Sequence, residues 1–462
     1  MSYSIFNVIK YDYCIGCGAC AYADRNFTIG FDKLGMYKAQ YNNNIEPENV
    51  EIADKYCPFS DNTIDEDQLS EIYFEKDLLK NENIGKYIEC FAGYVKEKPF
   101  RKTGSSGGFG KWILYKLIKE RKVDYIIQVT EGGGNNELFS YKVFRTDDAV
   151  LKGSKSAYYP VTIANMLNFI RENKGYYAIT ALPCFSKALR NICLQDNVIS
   201  KRLKYIIGIV CGHLKSSAFA ELFAWQLGVF PDNLKSIEFR DKIKGMRANE
   251  KGAYAINKKD EKTPVKSSKT LFGGNWGHGL FKYKACDYCD DVLGETADLS
   301  VGDAWLDDYI NDPAGNNVLV IRNKEIHKLV IEGIKRGDLK FEPIDVQQLV
   351  KSQEGGLRNR REGLQYRVYK QKRKGKWVPK KRNFHFFKIK HERKRIYRLR
   401  EIIRVKSHKY FHVAKEKNDL YYFINKMQKI TKKTEKPGLL YRIESKLYRK
   451  WQPIKKVLNL TK

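Results

Sequence analysis

Apolar runs of strand length alternate with segments of helical spacing over residues 85–350. "VDYIIQVT" (123–130), "GYYAIT" (175–180) and "LKYIIGIVCG" (203–212) read as buried strands. "VTIANMLNFIREN" (161–173) and "FSKALRNICL" (185–194) carry apolar residues at helical intervals. Strands separated by helices predict an α/β body with a mixed sheet. In "KTGSSGGFGKWILYKLIKE" (102–120) a Gly-rich turn enters an amphipathic helix built on Trp112, Ile113, Leu114, Leu117 and Ile118. A polar, acidic stretch, "SDNTIDEDQLSEIYFEKD", parts this body from residues 1–60. Beyond residue 350, Ile396, Leu399, Ile402 and Ile403 fall near helical spacing among Arg393, Lys394, Arg395, Arg398, Arg400 and Arg404, which predicts a basic helical tail. The expected division is therefore 1–60, 85–350 and 351–462. No run of 18 apolar residues occurs, so no membrane span is expected. The start, "MSYSIFNVIKYDYC", has no apolar core or cleavage site, so a signal peptide is not expected.

Charge sharpens the picture of the tail. The chain of 462 residues has a net charge of +31. Residues 351–462 hold 37 Lys and Arg against 8 Asp and Glu, a net of +29, and the preceding 350 residues hold only +2. A near-neutral body thus carries a basic extension. Such a helix can lie on an anionic membrane surface, stay solvated, or pack on the body with its charges outward. No RNA- or DNA-reading motif accompanies the charge, so nucleic acid is not an expected partner. Ten cysteines in a chain with no export signal argue for reduced thiols or metal in the cytoplasm, with the inner membrane face as the tail's possible address.

The first cysteines are the most specific feature. "YCIGCGACAYADRN" sets Cys14, Cys17 and Cys20 at C-x₂-C-x₂-C spacing. The x₃-C-P cysteine that would follow in a two-cluster ferredoxin ligates the other cluster, and here Asp24 and Arg25 stand in its place. The fourth ligand of the first cube is expected downstream in a second C-P, which is Cys57-Pro58. Pro47, Val50 and Ala53 occupy the positions a second half-motif would need. One 4Fe–4S cube on Cys14, Cys17, Cys20 and Cys57 follows, in a small ferredoxin-like α+β unit; zinc, which prefers paired knuckles, is the rival.

Four further cysteines fall at telling places. Cys184 follows one predicted strand in "TALPCFSK", and Cys211 closes another in "IGIVCGH". In a parallel sheet both lie at the carboxyl edge, where open α/β sheets bind ligands. "KACDYCDDVLGETADLSVGDAW" adds Cys286 and Cys289. Together they could close a second cube, with zinc or ordinary buried thiols as alternatives. Cys90 and Cys193 read as structural. The turn of Ser105, Ser106, Gly107 and Gly108 allows close backbone approach at a helix N-terminus, which favours phosphate. "KGSKSAYYP", with Lys155, is a similar loop.

These pieces, in this order over about residues 10–310, resemble the beta subunit family of coenzyme F(420)-reducing hydrogenase. Its relatives include reductases of chlorophyll pigments and bacterial members that accompany surface-polysaccharide synthesis. The resemblance implies two 4Fe–4S clusters and a flavin, FAD rather than FMN. It implies that Cys184, Cys211, Cys286 and Cys289 are ligands, and that Ser105, Ser106, Gly107, Gly108 and Lys155 lie near the flavin. An insertion at about 240–285 and the basic tail fall outside the pattern, so the deazaflavin substrate does not carry over with it. The expected function is an iron–sulfur flavoprotein oxidoreductase. Electrons from a ferredoxin-like donor would pass through two clusters to the flavin and on to a small-molecule or lipid-linked substrate, or in reverse. His213 and Asp303 are the candidate proton donors. The alternative is a non-enzymatic electron-transfer subunit feeding a partner enzyme.

Overall fold

The computed structural model describes residues 3–42, 49–132, 137–382 and 388–438. An eight-stranded mixed sheet organises the body. Its centre is four parallel strands in spatial order: Leu299–Asp303, Leu203–Ile209, Tyr177–Ala181 and Tyr125–Glu131. Antiparallel neighbours extend both edges. Phe139–Phe144 lies beside Tyr125–Glu131; Asn317–Ile321, Glu89–Val95 and Leu339–Pro343 follow Leu299–Asp303 on the other side. The central strands are Val/Ile-rich and buried on both faces, as strands covered by helices must be. Pro183–Gln195 and Phe109–Lys119 are among those helices, with Phe185, Leu189, Trp112 and Ile113 in the core. Cys90 and Cys193 pack as buried apolar residues, as expected.

The N-terminal unit consists of the helices Ser4–Lys10, Ala19–Ala23 and Val50–Tyr56 around a hairpin, Phe27–Phe31 with Tyr37–Tyr41. A buried carboxylate ties its ends together. Asp54 accepts hydrogen bonds from the Ile5 amide at 2.6 Å, the Ser60 hydroxyl at 2.7 Å and the Ser4 hydroxyl at 3.1 Å. The unit is not a separate bead. Tyr13, Ile15, Cys17 and Tyr56 belong to the same apolar core as Phe185, Phe281 and Tyr283. The Cys17 carbonyl accepts the Ile163 amide at 2.8 Å, and the Tyr283 hydroxyl accepts the Tyr37 amide at 2.8 Å.

The insertion forms a three-stranded antiparallel sheet, Leu234–Lys242, Lys251–Asn257 and Lys266–Ser267. The tail is helical within the described residues, chiefly Glu362–Lys372, His391–Glu416 and Leu420–Glu435. It departs from the picture of an apolar face left for lipid. Ile403 is fully buried in the main core, and Phe411 packs on Phe281 with ring centroids 5.3 Å apart. The Ser407 hydroxyl accepts the Phe281 amide at 2.9 Å. Ile402, one residue away, is 45% exposed. Several basic side chains turn inward: Arg404 meets Asp287 at 3.0 Å and Arg382 meets Glu295 at 2.6 Å. Body carboxylates draw them there, because the loop after Cys286 is rich in buried acids. Residues 439–462 of the tail lie outside the described residues. Among the described residues, no helix is long and apolar enough to cross a membrane.

Neighbouring isoleucines thus report on the packing of the tail. Ile403→Ala should cost about 3 kcal/mol in chemical denaturation, the usual range for a fully buried isoleucine. Ile402→Ala should stay within ~0.5 kcal/mol. Equal costs would contradict a tail packed on the body by this face.

Candidate functional site

Eight cysteines gather into two neighbouring groups. In the first, Cys14, Cys17 and Cys20 lie on the loop and short helix after Tyr13, and Cys57 ends the helix Val50–Tyr56. Burial pushes the Cys17 thiol up to about 12, and Cys14 beside it adds to this. Cys20 and Cys57 are raised by burial and by the other thiols of the group. Cys14 Sγ accepts backbone N–H groups from Ala39 at 3.2 Å and Gly16 at 3.3 Å.

In the second group, Cys184 sits in the first turn of Pro183–Gln195, directly after the strand Tyr177–Ala181. Cys211 follows the strand Leu203–Ile209. Cys286 and Cys289 come from the loop before Leu299–Asp303. Burial raises Cys184, and Cys289, Cys211 and Cys286 raise it further. Cys17 of the first group acts on it too, so the two groups lie within electrostatic reach of each other. The Leu214 amide donates to Cys286 Sγ at 3.2 Å. Four thiols held together away from water repel one another as thiolates and need a bound cation to be deprotonated. N–H donors aimed at sulfur are the partners such a centre uses. The donor sets therefore fit iron–sulfur clusters. No group of His, Cys, Asp and Glu among the described residues closes on a single metal ion.

The second group opens on a cavity of about 760 Å³ at the carboxyl edge of the parallel strands. Cys211, His213 and Asp303 line it together with Ser105, Ser106, Gly108 and Lys155. The structure thus brings most of the sequence-predicted residues to one place. Gly107 lies just behind, where a side chain would press on Asn317 and on the Gly93 carbonyl, within 3 Å. Gly108 has a left-handed φ of +90° and begins the helix Phe109–Lys119. One expectation is modified here. The helix start is partly capped by protein, because Asn317 Oδ1 accepts the Phe109 amide at 3.1 Å.

Of the candidate proton donors Asp303 is engaged, while His213 keeps a buried Nε2 with no hydrogen-bond partner among the described residues. His213 stacks on Trp276 with ring centroids 4.4 Å apart. Burial, then Lys215, Lys282, Arg360 and Arg400, hold it well below the ordinary imidazole range. Asp303 is clamped by both arms of Arg240, at 2.7 and 2.9 Å. Lys155 pairs with Asp241 at 3.0 Å and Glu238 at 3.3 Å.

Sequence reasoning missed a cluster of cations beside the Ser105–Gly108 turn. Lys242 donates to the Ser106 carbonyl at 2.8 Å, Lys111 to the Leu151 carbonyl at 2.8 Å and Lys251 to the Pro313 carbonyl at 3.4 Å. Among the described residues, none of these three makes an ion pair with a carboxylate. Burial, then Lys251 and Arg101, push Lys242 down to about 7; burial with Lys155 lowers Lys111, and burial with Arg240 lowers Lys251, each to about 8. A second cavity, also of about 760 Å³, shares Lys111, Ser154 and Lys155 with the first and adds Lys242. The only signal in the sequence was the lysine content of the insertion.

Two models of one family match the chain, and both describe the beta subunit of coenzyme F420 hydrogenase/dehydrogenase. The model of its N-terminal part matches residues 90–168, and the model of its C-terminal part matches 175–347. The chain belongs to the coenzyme F420 hydrogenase/dehydrogenase beta subunit family. The family match holds the body sheet, the turn at Ser105, the second cysteine group and the insertion, and ends before the tail. A solved chain from the F420-reducing [NiFe] hydrogenase complex of Methanosarcina barkeri is similar at 18% identity and a TM-score of 0.49, over 64% of this chain and 97% of that chain. No curated protein matches.

Lysines held below their ordinary range make anion binding pH-dependent. The unfolded chain binds more protons than the native one from about pH 7 up to the ordinary lysine range, so without anion this cluster's contribution to stability rises with pH. Sulfate keeps its charge across this range. It should therefore raise the melting temperature more at pH 7 than at pH 9, with a stabilisation of about 2.7 kcal/mol at a hundredfold excess over its Kd. The Lys242→Met/Lys251→Met double variant should lose that increment. A sulfate response independent of pH and of both lysines would show that they hold no anion.

Proposed function

We propose that the chain is an iron–sulfur flavoprotein oxidoreductase, passing electrons between a ferredoxin-like partner and an organic substrate. The observation that carries this reading is an order in space. Cys17 of the first group and Cys184 of the second belong to one apolar core and lie within electrostatic reach of each other, and the second group reaches the large cavity at Cys211. In this reading Cys14, Cys17, Cys20 and Cys57 hold one 4Fe–4S cube, and Cys184, Cys211, Cys286 and Cys289 hold another. The clusters supply single-electron transfer and a flavin, FAD in our assignment, supplies the exchange between one- and two-electron chemistry. Ser105, Ser106, Gly107 and Gly108 give its diphosphate a close backbone, and Lys111, Lys242 and Lys251 give it charge. Lys155 orders the same wall through Glu238 and Asp241. Trp276, Tyr158 and Phe239 give the cavity flat apolar surface against which a ring can lie.

The substrate belongs, in this proposal, to surface-polysaccharide synthesis at the inner membrane face. Arg398, Ile402, Val405 and Lys409 lie exposed at intervals that put them along one side of the helix His391–Glu416, which suits contact with anionic lipid.

One observation favours the second reading, an electron-transfer subunit without a substrate of its own. His213 is kept neutral and stacked, and Asp303 is committed to Arg240. Turnover of a small-molecule acceptor by the isolated chain separates the two readings.

Anaerobic purification should give about eight irons per chain and one flavin. Cys57→Ala should leave about four irons with the flavin retained, and Lys242→Met/Lys251→Met should release the flavin with both cubes retained. Iron content unchanged by Cys57→Ala would remove Cys57 from the ligand set. A colourless chain after iron removal would end the flavoprotein reading.

A further inference from the structure

Arg360 ends the helix Glu354–Arg360 and lies beyond residue 347, where the family match stops. Its side chain is almost wholly buried, with the residue 2% exposed. Nη2 donates to the Gly212 carbonyl at 2.9 Å. Nε is buried with no hydrogen-bond partner, and among the described residues no carboxylate pairs with the guanidinium. Its surroundings are thiols instead: it lines the cavity beside Cys211, whose neighbour Gly212 it bonds, and Cys289, Cys211 and Cys286 are the groups its charge acts on. A guanidinium does not give up its proton, so this is a permanent positive charge away from water. Neutral thiols cannot compensate it; an anionic centre on those thiols can.

The first group is built differently. Its neighbouring cation, Lys38, donates to the Cys14 carbonyl at 2.9 Å but is paired with Asp12 at 2.6 Å. The other buried cations near the second group are also committed. Lys282 is paired with Asp287, and Lys215 donates to the Leu280 carbonyl at 2.6 Å. Lys215 has no acid either, but an ammonium can give up its proton; Arg360 is therefore the fixed charge beside the second group that no acid shares.

We propose that Arg360 is a positioning residue that acts through Cys289 and its neighbours to favour the reduced state of the second cluster. Reduction adds one electron and one negative charge, with no proton required, and the fixed cation stabilises the added charge. The second cluster then has the higher potential, and electrons run from the first group toward the cavity. This inference rests on the cluster reading above.

The test is a redox titration of the anaerobic, full-length holoprotein followed by electron paramagnetic resonance. Wild type, Arg360→Gln and Arg360→Lys are compared, each also with Cys57→Ala so that the second cluster is read alone. At the wild-type midpoint, Arg360→Gln should shift the oxidised-to-reduced ratio of the second cluster at least tenfold toward oxidised, about 59 mV for one electron. Arg360→Lys should recover most of that shift, and the first cluster should not move. An unmoved potential in Arg360→Gln with both cubes present overturns this proposal and leaves the functional reading standing. Loss of about four irons in both Arg360 variants also overturns it, because the side chain would then build the site and not tune it. A wild-type chain with a single cube overturns both.

Discussion

Asp287, Asp290, Asp291 and Glu295 are each 1% exposed, and all lie within a few residues of Cys289. Burying four carboxylates together is possible only if the fold delivers cations to the same place. It does so from two directions. Lys282 comes from the body, and Arg361, Lys381, Arg382 and Arg404 come from the tail. Asp287 and Asp290 are consequently held well below the usual carboxylate range despite their burial. Asp291 instead turns its oxygens to the amides of Leu293, Gly294 and Glu295 at 2.8 Å, which fixes the loop's path. The position of Cys286 and Cys289, and the docking of the tail, both follow from this charge match.

Much of the body was legible because its signals are local. The strands Tyr125–Glu131, Tyr177–Ala181 and Leu203–Ile209 are continuous apolar runs, and Cys184 and Cys211 fall where those runs end. The antiparallel edge strands were harder. Phe139–Phe144, with Lys142 outward, is not a continuous apolar run, although it pairs with the strand just before it, Tyr125–Glu131. The tail was misleading for a physical reason. Composition counts Arg361, Arg382 and Arg404 as surplus charge, but their partners lie some 70 to 120 residues earlier in a loop whose acids look solvated on paper. Arg360 was hidden in the same way inside a run of basic residues.

The segment expected to fall outside the family pattern, about 240–285, lies within the family match and forms one wall of the cavity. Arg240, Lys251 and Trp276 all come from it, and each faces the carboxyl edge that the body alone would leave open. Arg240 clamps Asp303, Trp276 stacks on His213, and Lys251 charges the wall. The parallel strands therefore set the floor of the cavity, and the three-stranded sheet, which lies within the family match, lines its open side.

The clasp between the tail and the Cys286–Glu295 loop also imposes an order on the molecule's making. Cys289 leaves the ribosome 93 residues before Arg382, roughly 5–20 s at ordinary rates of synthesis. During that interval all eight cysteines of the two groups exist, but the segment that covers the second group does not. The first group can close early, since its residues all lie within the first 57. The loop that carries Cys286 and Cys289 gains its tail partners only when Arg361, Arg382 and Arg404 have been made.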